Sequence, residues 1–163
     1  MKKETYLHSM QLLAKWPGAA AVQMIIKSIS VITAAFYAAA VLWTAYQKDI
    51  RCLRLVLVPA FSFLAVSWFR ARLSAVRPYE KYAFTPLVPK DTAGKSFPSR
   101  HVFSGFIIAM AVLSVHVAAG VFLLFCSILL AVLRVMIGVH FPKDVIAGML
   151  LGIGIGLFGF FIF

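Results

Sequence analysis

Residues 101–133 read HVFSGFIIAMAVLSVHVAAGVFLLFCSILLAVL, an apolar run without a single Lys, Arg, Asp or Glu. A bilayer-crossing helix needs about 20 such residues, so this run is too long for one ordinary span. His116 and Gly120 interrupt it, and the spacing predicts two helices, 101–115 and 118–133, joined near VHVAAG. The composition points to the same solvent. The chain has 163 residues, 63% hydrophobic and 13% charged, with mean hydropathy +0.96. A water-soluble domain of that length has no core large enough to hide so much apolar surface.

Three further spans follow on either side. Residues 28–47, SISVITAAFYAAAVLWTAYQ, form one. Residues 52–69 form another, with Arg54 near one end and Pro59 inside, which a membrane helix tolerates when neighbours satisfy the freed carbonyl. Residues 145–163, VIAGMLLGIGIGLFGFFIF, form the last. In KKETYLHSMQLLAKW, Tyr6, Met10 and Leu13 share a helical face while Lys2, Lys3 and Lys15 supply charge, the pattern of a helix lying in the interface over 4–16. No cleavable signal core separates those lysines from a small-residue site. The expected architecture is therefore all-α: a single domain, 1–163, made of a polytopic transmembrane bundle of about five spans plus an N-terminal interfacial helix, with a six-span variant as the alternative. Residues 70–98 form the only sizeable loop, and a loop that long is usually functional or disordered. Cys52 and Cys126 read as packing residues rather than a disulfide.

The formal charge is +11, from 16 Lys and Arg against 5 Asp and Glu. A basic surface facing anionic lipid accounts for part of it. Five alternating spans, however, bring Arg70, Arg72, Arg77, Ser99, Arg100, His101, Arg134, His140 and Asp144 to one membrane edge. Ser99 reads as the N-cap of one helix, Pro142 as the first residue of another, and helix N-termini attract anions. Arginines add forks that fit phosphate oxygens. Clustered arginines near a bilayer need a counter-anion, and Glu80, Asp91 and Asp144 are too few to supply it. His140 and Asp144 stand four apart, so the carboxylate can fix the imidazole tautomer and leave the other nitrogen to attack. His101 reaches the same edge as a candidate proton donor. A lone interfacial histidine is more often structural, and His8 and His116 keep that reading.

R-A-R-L-S-A-V-R-P (70–78), F-P-S-R-H (97–101) and R-V-M-I-G-V-H-F-P-K-D (134–144) together resemble the three-part signature of the type-2 phosphatidic acid phosphatase superfamily: K-x6-R-P, P-S-G-H and S-R-x5-H-x3-D. The resemblance implies a membrane lipid phosphatase. Arg70, Arg77 and Arg134 would hold the phosphoryl group, with Ser99 and Arg100 completing the cradle. His140 would form a phosphohistidine, oriented by Asp144, and His101 would be the general acid. No cofactor or metal would be needed. Three positions depart from the pattern. Arg70 stands for Lys, Arg100 for Gly and Leu133 for Ser.

The compact size and the last motif look most like bacterial polyprenyl-diphosphate phosphatases, and Arg100 suits a diphosphate. Phosphatidylglycerophosphate and phosphatidate are the competing substrates. A non-catalytic lipid-phosphate binder or transporter is the rival of another class; a metalloenzyme using His101, His140 and Asp144 is disfavoured by the surrounding cations. The expected partners are a lipid phosphate and the bilayer, with no nucleic acid, in a monomer or homodimer. The expected location is the bacterial plasma (inner) membrane, multi-pass. The resemblance implies an extracytoplasmic active site, whereas the basic residues on that edge point it to the cytoplasm by the positive-inside rule. Asp144, Gly148, Gly152 and Gly156 recur every fourth residue as a small-residue stripe, which we read as packing inside the bundle rather than as a dimer seam.

Overall fold

The computed structural model describes residues 1–89 and 93–162; Asp91 therefore lies outside the described residues. The chain folds as α1 (Lys3–Lys15), α2 (Ala19–Tyr46), α3 (Arg51–Leu73), a short α4 (Pro78–Lys81), α5 (Arg100–Leu113), α6 (Val117–Met136) and α7 (Pro142–Leu157), closed by a π-helical turn, Phe158–Ile162. No strand occurs among the described residues.

Among the described residues, four segments are long and apolar enough to cross a bilayer by length and composition: Ala19–Tyr46, Arg51–Lys81, Val117–Met136 and Pro142–Ile162. Their outward faces carry Trp43, Phe61, Leu64, Trp68 and Phe125, all exposed, as expected where the solvent is lipid tails. The fifth apolar helix, α5, has only 14 residues, about 21 Å at 1.5 Å per residue, against a hydrocarbon core of about 30 Å. It tolerates this length because it is central: it packs against α2, α3, α6 and α7, and Val102, Phe103, Phe106, Ala109 and Ala111 are buried. The break predicted near VHVAAG falls where His116 caps α6, its Nδ1 accepting the Ala119 N–H at 3.2 Å.

α1 does not run on into α2. Pro17 follows its last turn and the chain turns at Trp16–Gly18, so Tyr6, Met10 and Leu13 form a buried face. That face docks beneath the loop after α6. Ser9 Oγ donates to the Met136 carbonyl at 3.1 Å, and Tyr6 Oη to the His140 carbonyl at 3.4 Å. Gly138, at φ +80°, lets the chain leave α6 in the left-handed region, and a Cβ there would meet the Phe84 ring at 2.7 Å.

The small-residue stripe of α7 lies against α5. A Cβ on Gly148 would come within 2.7 Å of the Ser99 carbonyl oxygen, one on Gly152 within 2.7 Å of Phe106 Cβ, and one on Gly156 within 2.5 Å of Met110 Cβ. The stripe thus lets two backbones approach closely inside one chain. Both cysteines are free.

Gly148→Ala should therefore push on a backbone atom that has nowhere to go, at a cost of about 1–3 kcal/mol. Gly154, whose Cβ would find nothing within 4 Å, is the internal control. Thermal melting in detergent is expected to drop for Gly148→Ala and to hold or rise slightly for Gly154→Ala. Equal melting of the two would refute the close α5–α7 contact.

Candidate active site

Three helix ends and one loop build the site. Arg70 closes the last turn of α3, Arg134 the last turn of α6, and Asp144 sits in the first turn of α7. Arg77 and Ser96 lie in the loop that crosses from α3 to α5, and all five are buried.

That loop is tied down through its backbone. Glu80 accepts the N–H of Arg77 at 2.7 Å and, from the other arm, the N–H of Gly94 at 2.8 Å. The sequence reading counted Glu80 among carboxylates too few to balance the arginines; the structure uses its carboxylate to close the loop. The arginines finish the fastening. Arg77 donates from Nε to the Gly94 carbonyl at 2.9 Å and from a terminal nitrogen to the Val139 carbonyl at 3.2 Å. Arg70 donates to the carbonyls of Pro98 and Lys95.

The start of α5 is pinned to α7 by the Ser99 N–H, which donates to the Asp144 carbonyl at 2.8 Å. Ser99 occupies the N-cap position as read from sequence, but its hydroxyl makes no capping bond. It is fully buried, with no hydrogen-bond partner for Oγ among the described residues. The Arg134 Nε is in the same condition.

His140 is 1% exposed. Burial drives its pKa from 6.5 down to about 4, against the opposing pull of Asp144, while Arg77 and Arg134 lower it further. The ring is thus neutral at ordinary pH, and a neutral imidazole keeps one nitrogen lone pair for attack. Its Nδ1 stands 3.6 Å from Asp144 Oδ2 and 3.3 Å from Ser96 Oγ. Asp144 Oδ2 also accepts the Phe141 N–H at 2.9 Å, which fixes the carboxylate on its own helix.

A cavity of about 290 Å³ opens beside the ring, lined by Ser67, Arg70, Arg77, Lys95, Arg100, His101 and His140 among others. The two histidines therefore share one space with three of the arginines. Ser99, Arg134 and Asp144 are not in its wall. Arg134 acts on it through charge, being electrostatically coupled to Arg70 and Arg77. Leu133, where the family signature has serine, packs with Leu13, Val22, Ile137 and Val139 and belongs to the apolar core. Among the described residues no group of three or more His, Cys, Asp or Glu is placed to hold a metal ion. Arg100 lies with its guanidinium 5.3 Å from the centre of the Phe63 ring. It also borders a second cavity, of about 280 Å³, lined by Ser30, Thr33, Phe63, His101, Ser104 and Leu130 among others.

Sequence reasoning gave no role to Ser96 or Ser67, and read Tyr6 only as part of one face of the N-terminal helix. Ser96 sits in the same KSFPSRH run as Ser99, but a serine outside a known spacing carries no signal of its own.

The PAP2 superfamily model matches residues 51–163. The lipid A 1-phosphatase of Rhizobium etli is 39% identical over 85 residues, 51% of this chain and 35% of that protein. The bacitracin transport permease protein BcrC of Bacillus licheniformis is 35% identical over 85 residues, 50% of this chain and 42% of that protein. The matches thus cover well under half the length of these relatives. Among solved structures, Aquifex aeolicus LpxE superimposes with TM-score 0.70 at 21% identity, covering 94% of this chain and 93% of that one. The PAP2-type phosphatidylglycerolphosphate phosphatase of Bacillus subtilis gives 0.62 at 22% identity, covering 94% and 90%. Both are likenesses of fold.

Because the folded-state pKa of His140 lies below its unfolded value, its neutral burial contributes stability that is fully present above pH 6.5 and is lost as pH falls through about 4. Melting of the wild type in detergent should therefore fall more steeply across that window than melting of His140→Asn, which has no titrating ring. Parallel curves would contradict the burial.

Proposed function

Since the chain belongs to the PAP2 superfamily, we propose that it is a bacterial multi-pass membrane phosphatase acting on a lipid phosphate, with His140 as nucleophile. The observation that carries this reading is the shared cavity, where a neutral histidine, a second histidine and three arginines face one another. Arg70 and Arg77 bind the phosphoryl oxygens, helped by the field of Arg134, while Ser99, behind the cavity wall, shapes the cradle through its N–H bond to the Asp144 carbonyl. Nε2 of His140 attacks phosphorus, the bond from phosphorus to the leaving oxygen breaks, and His101 gives that oxygen its proton. Water, deprotonated by His101, then attacks the phosphohistidine, the P–N bond breaks, and inorganic phosphate and free His140 result. Fixed cations stabilise the transferring group in both steps, and no metal takes part.

The preferred substrate is a polyprenyl diphosphate. With the terminal phosphate in the cradle, the inner one lies toward Arg100, where the two cavities meet, and the chain enters the largely apolar second cavity between α2, α3, α5 and α6. We place the cradle on the extracytoplasmic face, as the family resemblance implies. Lys2, Lys3 and Lys15 add positive charge at the cradle end, because α1 docks there, and by the positive-inside rule they argue for the opposite face.

Detergent-solubilised protein with excess chelator should release phosphate from polyprenyl diphosphate faster than from phosphatidylglycerophosphate or phosphatidate. His140→Ala should lower release by at least about 10³-fold while leaving the protein folded. Arg100→Gly should cost roughly tenfold or more in kcat/KM on the diphosphate, the worth of one charge-assisted hydrogen bond of about 1.5–3 kcal/mol, and little on phosphatidate. Chelator-sensitive release would overturn the metal-free mechanism, and silence of folded wild type on every lipid would overturn the phosphatase. For the face, a membrane-impermeant maleimide should label exposed Lys95→Cys in intact cells; labelling only after permeabilisation would place the cradle in the cytoplasm.

A further inference from the structure

Ser96 has no part in the mechanism above, yet it occupies the centre of the site. It is 0% exposed, and its N–H donates to the Ala75 carbonyl at 2.8 Å, so its backbone is fixed. Its hydroxyl donates to Asp144 Oδ2 and stands 3.3 Å from His140 Nδ1. The direct separation of Nδ1 from Oδ2 is 3.6 Å, longer than an N–H···O hydrogen bond, which runs to about 3.2 Å. Of these two oxygens the hydroxyl is the nearer to Nδ1, and it also bonds to the carboxylate.

We propose that Ser96 is a positioning residue interposed between the nucleophile and its carboxylate. The Nδ1–H of His140 donates to Ser96 Oγ, whose own proton points to Asp144 Oδ2. The proposal rests on His140 as nucleophile and adds the group that orients it. A hydroxyl has one proton and two lone pairs, so it can take both roles at once. Their order is forced. An ionised carboxylate only accepts, so the serine proton faces Asp144 and a serine lone pair faces the ring. Nδ1 must then carry the ring proton, which leaves the lone pair on Nε2. When Nε2 bonds to phosphorus and the leaving oxygen departs, the ring becomes cationic; the proton stays on Nδ1, and the serine oxygen, polarised by Asp144, faces the new charge. No proton travels along the chain.

The test has two readouts. In protein labelled with 15N-histidine, the wild-type His140 ring should show the Nδ1–H tautomer at neutral pH. Ser96→Ala should give averaged ring shifts, and the isosteric Ser96→Cys should restore the tautomer in part. On farnesyl diphosphate with chelator, Ser96→Ala should lower kcat by roughly 10–100-fold at nearly constant KM. The Ser96→Ala/Asp144→Ala pair should be no slower than Asp144→Ala by more than about twofold, since both changes cut one chain. An unchanged tautomer in Ser96→Ala, or effects that multiply, would overturn the proposal. Should folded wild type release no phosphate while the tautomer still depends on Ser96, the phosphatase reading fails and the hydrogen-bond chain stands. Activity in wild type with an unchanged tautomer in Ser96→Ala sinks the chain and leaves the phosphatase.

Discussion

Three guanidinium groups, those of Arg70, Arg77 and Arg134, are buried at one end of a membrane bundle. Burying even one charge costs several kcal/mol unless partners surround it, and the rest of the site follows from how that cost is met. Carboxylates do little of the work: Glu80 closes the loop through backbone N–H groups, and Asp144 faces Ser96 and Phe141. For Arg70 and Arg77 the partners are main-chain carbonyls of the loops, at Gly94, Lys95, Pro98 and Val139. The cations therefore hold the loop in shape while the loop holds the cations in place.

The second constraint is the contact of α5 with α7. Glycines at every fourth position of α7 let its backbone reach that of α5, and the Ser99 N–H to Asp144 carbonyl bond then sets the register of the two helix starts. His101 and His140, far apart in the chain, come to one cavity through that contact. A site assembled on helix ends in this way is more precise than one built on loops alone.

Much of this was legible in the sequence, for identifiable reasons. Length and apolarity mark the spans because lipid demands both, and charges stand out against such a background, so the edge carrying Arg70, Arg77, His101, Arg134, His140 and Asp144 could be read directly. Helix length was less readable. α2 begins at Ala19 rather than at residue 28, because Lys27 ends the charge-free stretch that hydropathy reads while the helix simply carries that lysine. The Ser99 cap position could be anticipated, whereas the unpaired state of its hydroxyl could not, since pairing depends on tertiary distances. Ser96 was invisible: its importance lies in standing between two side chains that are separated from it by more than forty residues.

The commitment of arginine N–H groups to main-chain carbonyls has a consequence for selectivity. At least two of the five donors on each of Arg70 and Arg77 are already engaged, so a bound phosphate meets a fixed electrostatic field more than a set of open forks. Such a field, poorly screened by salt because its sources are buried, attracts any phosphate dianion alike. In the phosphatase reaction proposed above, inorganic phosphate is the end product and competes with the lipid for the same place, so turnover there depends on how readily that product escapes to water.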